Sequence, residues 1–191
     1  MHNLTAILDA FKMNRFDPQT DEETNVSNAC GNYILCLKEG SRFPEVSVKP
    51  EFATFEGLEV IYTGIAGRSL RSRDYRQHFK GNNAGRSTFR KSLGVLLGYE
   101  QIPRDKKQYN GKTKFNRADE EELTDWMCKN LIMFFLPTTN YDRIEIELIN
   151  YFNPPLNLKD NNNEINANFR KLLSSLRRNI SNPSSVSSIS S

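Results

Sequence analysis

The chain is predicted to form a small α+β (α/β) domain, in which a central three-stranded sheet, mixed or antiparallel, is flanked by helices. Three observations predict it. Apolar runs of strand length stand at 33–37, 58–62 and 131–136. Segments with apolar residues at three- and four-residue spacing surround and separate them. At 191 residues the chain is long enough for one substantial core.

Composition bounds the class further. With 37% apolar and 26% charged residues the chain reads as soluble and globular. No run of about 18 apolar residues occurs, so no membrane span is expected. The opening Met1-His2-Asn3-Leu4-Thr5 lacks a basic stretch followed by an apolar core, and no secretory signal is expected. Cys30, Cys36 and Cys128 are odd in number and have no Cys-x-x-Cys spacing, which points away from a disulfide framework or a zinc site and suits a reducing cytoplasm.

Taken in order, residues 5–13 place Ile7, Leu8 and Phe11 at helical spacing and predict a leader helix. Residues 16–28 are acidic and polar, a linker. Between the first two strands, residues 38–57 hold two prolines and two glycines, an excursion rather than a tight hairpin turn. Residues 69–79 read as a helix with Ser69 as its cap. Residues 87–97 form a second, capped by Ser87 or Thr88 and burying Phe89, Leu93, Leu96 and Leu97. Residues 104–117, rich in lysine and poor in apolar side chains, are expected to be a loop.

The acidic run 119–122 opens a third helix, where it complements the positive end of the helix dipole; Leu123, Trp126 and Met127 mark its apolar face. The third strand ends at Pro137. A helix over 142–152 follows, and Pro154-Pro155 cannot continue it. Residues 164–179 form a last helix, with Phe169, Leu172, Leu173 and Leu176 on one side and basic residues on the other. The expected organisation is an N-terminal helix and acidic linker (1–28), a main domain (29–160), a C-terminal helix (161–180) and a disordered serine-rich tail (181–191).

The net charge of +3 is unevenly spread. Between 68 and 91 the chain carries Arg68, Arg71, Arg73, Arg76, Lys80, Arg86, Arg90 and Lys91 against Asp74 alone. Such an excess suits a polyanion, and these cations other than Arg73 are the candidate nucleic-acid contacts. The plainer reading is a solvated helix surface.

Glu145 is unusual for its position. It shares a helical face with Leu148, Ile149 and Phe152, at offsets of three, four and seven. Glu147 lies roughly 200° away at about 100° per residue. A carboxylate on an apolar stripe needs a partner, because an unpaired buried charge is costly. A metal ion is one such partner and a nearby arginine is another. A strand reading of 143–147, which alternates polar and apolar residues, would put both glutamates on one face; the helical spacing that continues to Phe152 favours the helix.

Four separated fragments then fall in order: Gly31-Asn32-Tyr33, Tyr62-Thr63-Gly64, Leu70-Arg71-Ser72-Arg73, and Glu145 ahead of Asn153-Pro154-Pro155-Leu156-Asn157. Together they resemble the motifs of GIY-YIG nucleases, closest in spacing to the compact restriction-endonuclease-like members. In that family the metal-binding glutamate is followed by an apolar pair three and four residues on, a proline nine on and an asparagine twelve on. Here those positions are Leu148, Ile149, Pro154 and Asn157. The second tyrosine of the family leads through glycine and a turn to a helix bearing Leu-x-x-Arg, here Leu70 and Arg73. Three departures stand out. Asn32 and Thr63 occupy positions where isoleucine or valine is usual, the two tyrosines are far apart, and the histidine or tyrosine expected four residues after the arginine is Gln77, with His78 fifth.

The resemblance implies a GIY-YIG-like fold and a metal-dependent endonuclease that hydrolyses DNA; RNA or branched DNA is a less specific alternative, and the sequence does not decide between them. It implies a catalytic set of Tyr33, Tyr62, Arg73, His78, Glu145 and Asn157. Glu145 would hold one divalent ion, Mg²⁺ or Mn²⁺, because the ligands are oxygens. Arg73 would donate to nonbridging phosphate oxygens, and Tyr62 or Tyr33 would take a proton from the attacking water. Asn157 would orient the site. His78, about 140° around a regular α-helix from Arg73, is the member whose role the spacing questions. Cutting both strands with one small site would favour a homodimer or sequential nicks. The competing hypothesis is a non-catalytic nucleic-acid-binding or accessory protein on the same scaffold.

Overall fold

A computed structural model of the protein describes residues 4–80, 86–105 and 112–178, except the side chains of 73–75. In chain order the elements are α1 (Leu4–Lys12), β1 (Arg15–Phe16), β2 (Gly31–Leu37), β3 (Thr54–Phe55), β4 (Leu58–Ala66), a π-helix (Arg71–Phe79), α2 (Thr88–Leu96), β5 (Ile102–Pro103), β6 (Thr113–Lys114), α3 (Arg117–Asn130), β7 (Leu131–Pro137), α4 (Tyr141–Phe152) and α5 (Ala167–Leu176). The serine-rich tail lies outside the described residues, as does 106–111 of the basic loop.

The sheet has five strands in the order β1-β7-β2-β4-β3, every pair antiparallel. Its three long members are the predicted ones. The two additions, β1 and β3, are two residues each, too short to show the alternation that marks a strand in sequence. One of them lies in the segment expected to be a linker, where Phe16 is fully buried.

All seven residues of β2 are buried because both faces of the sheet are covered. Alternation divides them. Tyr33, Leu35 and Leu37 join a core that includes Leu70 and Phe79 around the π-helix, Phe89 and Leu93 of α2, Leu123 and Met127 of α3, and Phe169 and Leu173 of α5. Ile34 and Cys36 join Ile7 and Phe11 of α1 and Ile144, Leu148 and Phe152 of α4 on the other side. Each fully buried large apolar side chain contributes roughly 1.5–3 kcal/mol, so the two stripes read from sequence on α2 and α4 are what clamp the sheet.

Local signals set the boundaries. Ser87 Oγ accepts the Arg90 N–H and caps α2, Ser69 Oγ accepts the Ser72 N–H at 3.1 Å, and Asn116 caps α3 through the Asp119 N–H. The excursion 38–57 separates β2 from β4 as expected, and its last residues form β3 and a hairpin onto β4. Glu56 and Gly57, at φ 50° and 76°, make the left-handed two-residue turn that joins β3 to β4. At the end of α4, Asn153 adopts φ 45°, and the two prolines then turn the chain back along β4. The flanks of the basic loop pair as the small hairpin β5–β6. Among the described residues no helix is long and apolar enough to cross a membrane.

Candidate active site

The register of β2 on β4 builds the first half of the site. Tyr33 pairs with Gly64 and Leu35 with Tyr62, so the two tyrosines project from the same face of neighbouring strands. Their rings lie 6.1 Å apart, tilted by 41°. Both motif glycines are sterically required. A Cβ on Gly64 would stand 2.3 Å from the Tyr33 hydroxyl, and one on Gly31 would stand 2.1 Å from the Leu136 carbonyl oxygen on β7.

His78 enters from the π-helix. It is buried, and its Nε2 lies 3.0 Å from the Tyr33 hydroxyl while its Nδ1 lies 3.0 Å from Ser87 Oγ. Sequence spacing questioned this residue because five positions from Arg73 do not share a face of an α-helix. The segment is instead wound with i→i+5 hydrogen bonds, and in a π-helix residues five apart come round to nearly the same side. The backbone of Arg73 lies on this helix, but its side chain is outside the described ones.

Arg90 explains why the helix ends where it does. Its guanidinium is fully buried, 2.7 Å from Glu120 of α3, and it also donates to the His78 carbonyl and to Thr124. The expectation that Arg90 touches nucleic acid is corrected: this cation is spent inside the fold. The rest of the basic run divides by its surroundings. Arg71 donates to the carbonyls of Val26 and Thr24, and Arg76 pairs with Glu23 at 2.6 Å. Lys91 is half-buried, whereas Arg68, Lys80 and Arg86 are exposed; Arg68 borders a second, shallow cleft with Ser69, Ser72 and Gln77.

The second half of the site comes from α4 and the turn after it. Tyr33, Tyr62, Glu145 and Asn157 line one cleft of about 400 Å³, together with Ile65, Thr88, Lys159, Asp160 and Arg177. Glu145 faces it from the helix, as the stripe argument expected, while Glu147 turns outward to pair with Arg143 at 3.0 Å. Burial pushes the Glu145 carboxyl above its ordinary value, and Asp160 pushes it the same way; Lys159 opposes them. Among the described residues no cation forms an ion pair with Glu145. The Glu145 carboxylate offers hard oxygens of the kind a divalent cation takes, although among the described residues no three metal-ligating side chains cluster.

Asn157 does something the motif did not reveal. Its side-chain amide accepts the Thr63 N–H and donates to the Thr63 carbonyl, both at 2.9 Å, and Leu156 N–H reaches the Ile61 carbonyl. The amide thus pairs with β4 as another strand would and fixes the turn beside the tyrosines. The two unusual residues also lie close together. Asn32 Nδ2 donates to the Tyr141 carbonyl at the start of α4, while Asn32 Oδ1 and the Thr63 hydroxyl are buried without a hydrogen-bond partner among the described residues.

Sequence reading missed Arg177, Ser87, Lys159 and Asp160. A signal for the first was present: Phe169, Leu173 and Arg177 recur at four-residue spacing, which puts a guanidinium on the apolar stripe of α5. The others are placed by loops and carry no periodic signal.

No curated protein and no solved structure matches the chain. The model of the GIY-YIG catalytic domain family matches residues 31–179, spanning both tyrosines, the π-helix, α4 and α5. The match covers well over half of the chain, and the protein belongs to the GIY-YIG nuclease family.

Proposed function

We propose that the protein is an endonuclease that hydrolyses DNA phosphodiester bonds in the cleft between β4 and α4, with one divalent cation, Mg²⁺ or Mn²⁺, held by Glu145. The single observation that carries this reading is that Tyr33, Tyr62 and Glu145 line one cleft although 112 residues separate the first from the last. When bound, the cation supplies Lewis-acid stabilisation of the scissile phosphate and of the leaving oxygen.

The chain's own residues handle the proton. Ser87 Oγ already accepts the Arg90 N–H, and a hydroxyl has one further acceptor site and one donor. With His78 protonated on Nδ1 and donating to Ser87, Nε2 accepts from the Tyr33 hydroxyl 3.0 Å away. Water then attacks phosphorus as its proton passes to the Tyr33 oxygen and the tyrosine's own proton passes to His78. A new P–O bond forms, the bond to the leaving oxygen breaks, that oxygen takes a proton from solvent water, and the imidazolium is held by Ser87 and Tyr33. Tyr62 borders the same water position, and Arg73 would steady the nonbridging oxygens. The compartment proposed is the cytoplasm, where Cys30, Cys36 and Cys128, all free, stay reduced.

Supercoiled plasmid assayed with Mg²⁺, Mn²⁺ and EDTA tests the reading. Wild type is expected to nick it only with metal, and Glu145→Ala and Arg73→Ala to lose nicking. Metal-independent binding with no cutting in any condition would instead support an accessory role on this scaffold.

A further inference from the structure

Arg177 stands in the cleft without an assigned role. It ends α5, on the stripe that buries Phe169 and Leu173, and its Nη1 reaches Ser92 Oγ of α2 at 3.4 Å. Among the described residues no carboxylate pairs with it. Two other charged residues of the cleft lining, Asp160 and Lys159, are engaged with each other at 3.4 Å. Burial holds the Arg177 guanidinium below its ordinary value, and the Tyr62 hydroxyl is the one group that opposes this.

A second cation deepens the imbalance. Lys91 of α2 is half-buried, and its ammonium is held down first by burial and then by the charge of Arg177. Two partly desolvated cations whose charges oppose each other, with no ion pair to an acid among the described residues, are an unfavourable arrangement in the free protein. An anion entering the cleft would relieve both. Arg68 and Arg86, exposed on the surface, have no such need.

We propose that Arg177, supported by Lys91, binds a backbone phosphate of the DNA beside the scissile one, so that α5 supplies a subsite that positions the strand over Tyr62. The planar fork of a guanidinium matches phosphate oxygens two at a time, and the helix end gives it a fixed origin. The proposal rests on reading the cleft as the nuclease site.

The test is fluorescence anisotropy of a labelled DNA duplex in EDTA, titrated over a range of salt, so that binding is read without cutting. Arg177→Gln is expected to raise Kd about tenfold and to lower the slope of log K against log salt by about one. Arg177→Lys keeps the charge and so keeps the slope, with Kd raised about threefold through loss of the fork. Lys91→Gln is expected to weaken binding less than Arg177→Gln. An unchanged Kd and slope in Arg177→Gln would overturn the inference, and so would a slope that falls in Arg177→Lys. The two readings fail separately. A wild type that binds DNA through Arg177 but never cuts it defeats the nuclease assignment alone, whereas normal binding by Arg177→Gln in an enzyme that cuts defeats the subsite alone.

Discussion

Gly64 lies directly across the sheet from Tyr33, and a methyl group on it would sit 2.3 Å from the tyrosine hydroxyl. The glycine is therefore part of the tyrosine's position rather than a flexible point in the strand. Gly64→Ala is expected to leave the fold intact at a cost of roughly 1–3 kcal/mol, typical of overpacking. Plasmid nicking should fall at least roughly 100-fold, since a displacement near 1 Å can cost that much. Nicking at the wild-type rate would show that Tyr33 is not held where the chemistry needs it.

The Tyr33–His78–Ser87 chain predicts coupled losses. His78→Ala removes the partner of a buried hydroxyl and is expected to cost about 1–3 kcal/mol in a denaturant melt, with nicking down roughly 10²- to 10⁴-fold. Tyr33→Phe combined with His78→Ala should be little worse than either alone, because both act on one proton path. Additive losses of rate would separate the two residues and refute the relay.

Burial of Glu145 makes stability depend on pH. Its carboxyl titrates above the ordinary value in the folded protein, mainly through burial, so the folded state binds more protons than the unfolded chain between those two values. Stability contributed by this group is present below that window and is lost as pH rises through it. Glu145→Gln is thus expected to melt higher than wild type at pH 8 and no higher at pH 4, while losing metal-dependent nicking at least roughly 100-fold. A lower melting temperature for the variant at pH 8, without metal, would contradict this.

Arg90 and Glu120 form a buried pair, and breaking it from one side is expected to cost about 3–5 kcal/mol. Arg90→Met with Glu120→Leu should recover most of that. In the double variant the salt dependence of DNA binding is expected to match wild type, whereas Arg68→Gln, which changes an exposed cation, should lower the slope by about one. A shallower slope in the double variant would return Arg90 to the DNA surface.

Thr63 is fully buried and its hydroxyl has no partner among the described residues. Replacing it with the isosteric valine is expected to raise stability by about 1 kcal/mol, measured as a shift in urea midpoint. Destabilisation would show that the hydroxyl has a hydrogen-bonded role.

Strands and helices with an unbroken period were legible in the sequence. The three long strands, the α2 and α4 stripes and the cleft-facing Glu145 all follow from spacing that burial enforces. What escaped were features without a period. The two-residue strands β1 and β3 offer too few positions to alternate, and the partners of His78 depend on how three elements meet. The π-helix shows the limit most clearly: a count at about 100° per residue assumes an α-helix, and the altered winding of this segment removes that assumption. Arg90 illustrates the opposite error, since a charge run gives no sign of which member turns inward to a glutamate thirty residues on.

The hold of Asn157 on Thr63 has a consequence beyond the site. Past Glu59 the outer border of β4 would offer bare amide and carbonyl groups to any extended chain that drifted alongside. The Leu156 amide and the Asn157 side chain occupy those groups at Ile61 and Thr63. A neighbouring molecule's strand therefore finds no bare groups to pair with at Ile61 and Thr63.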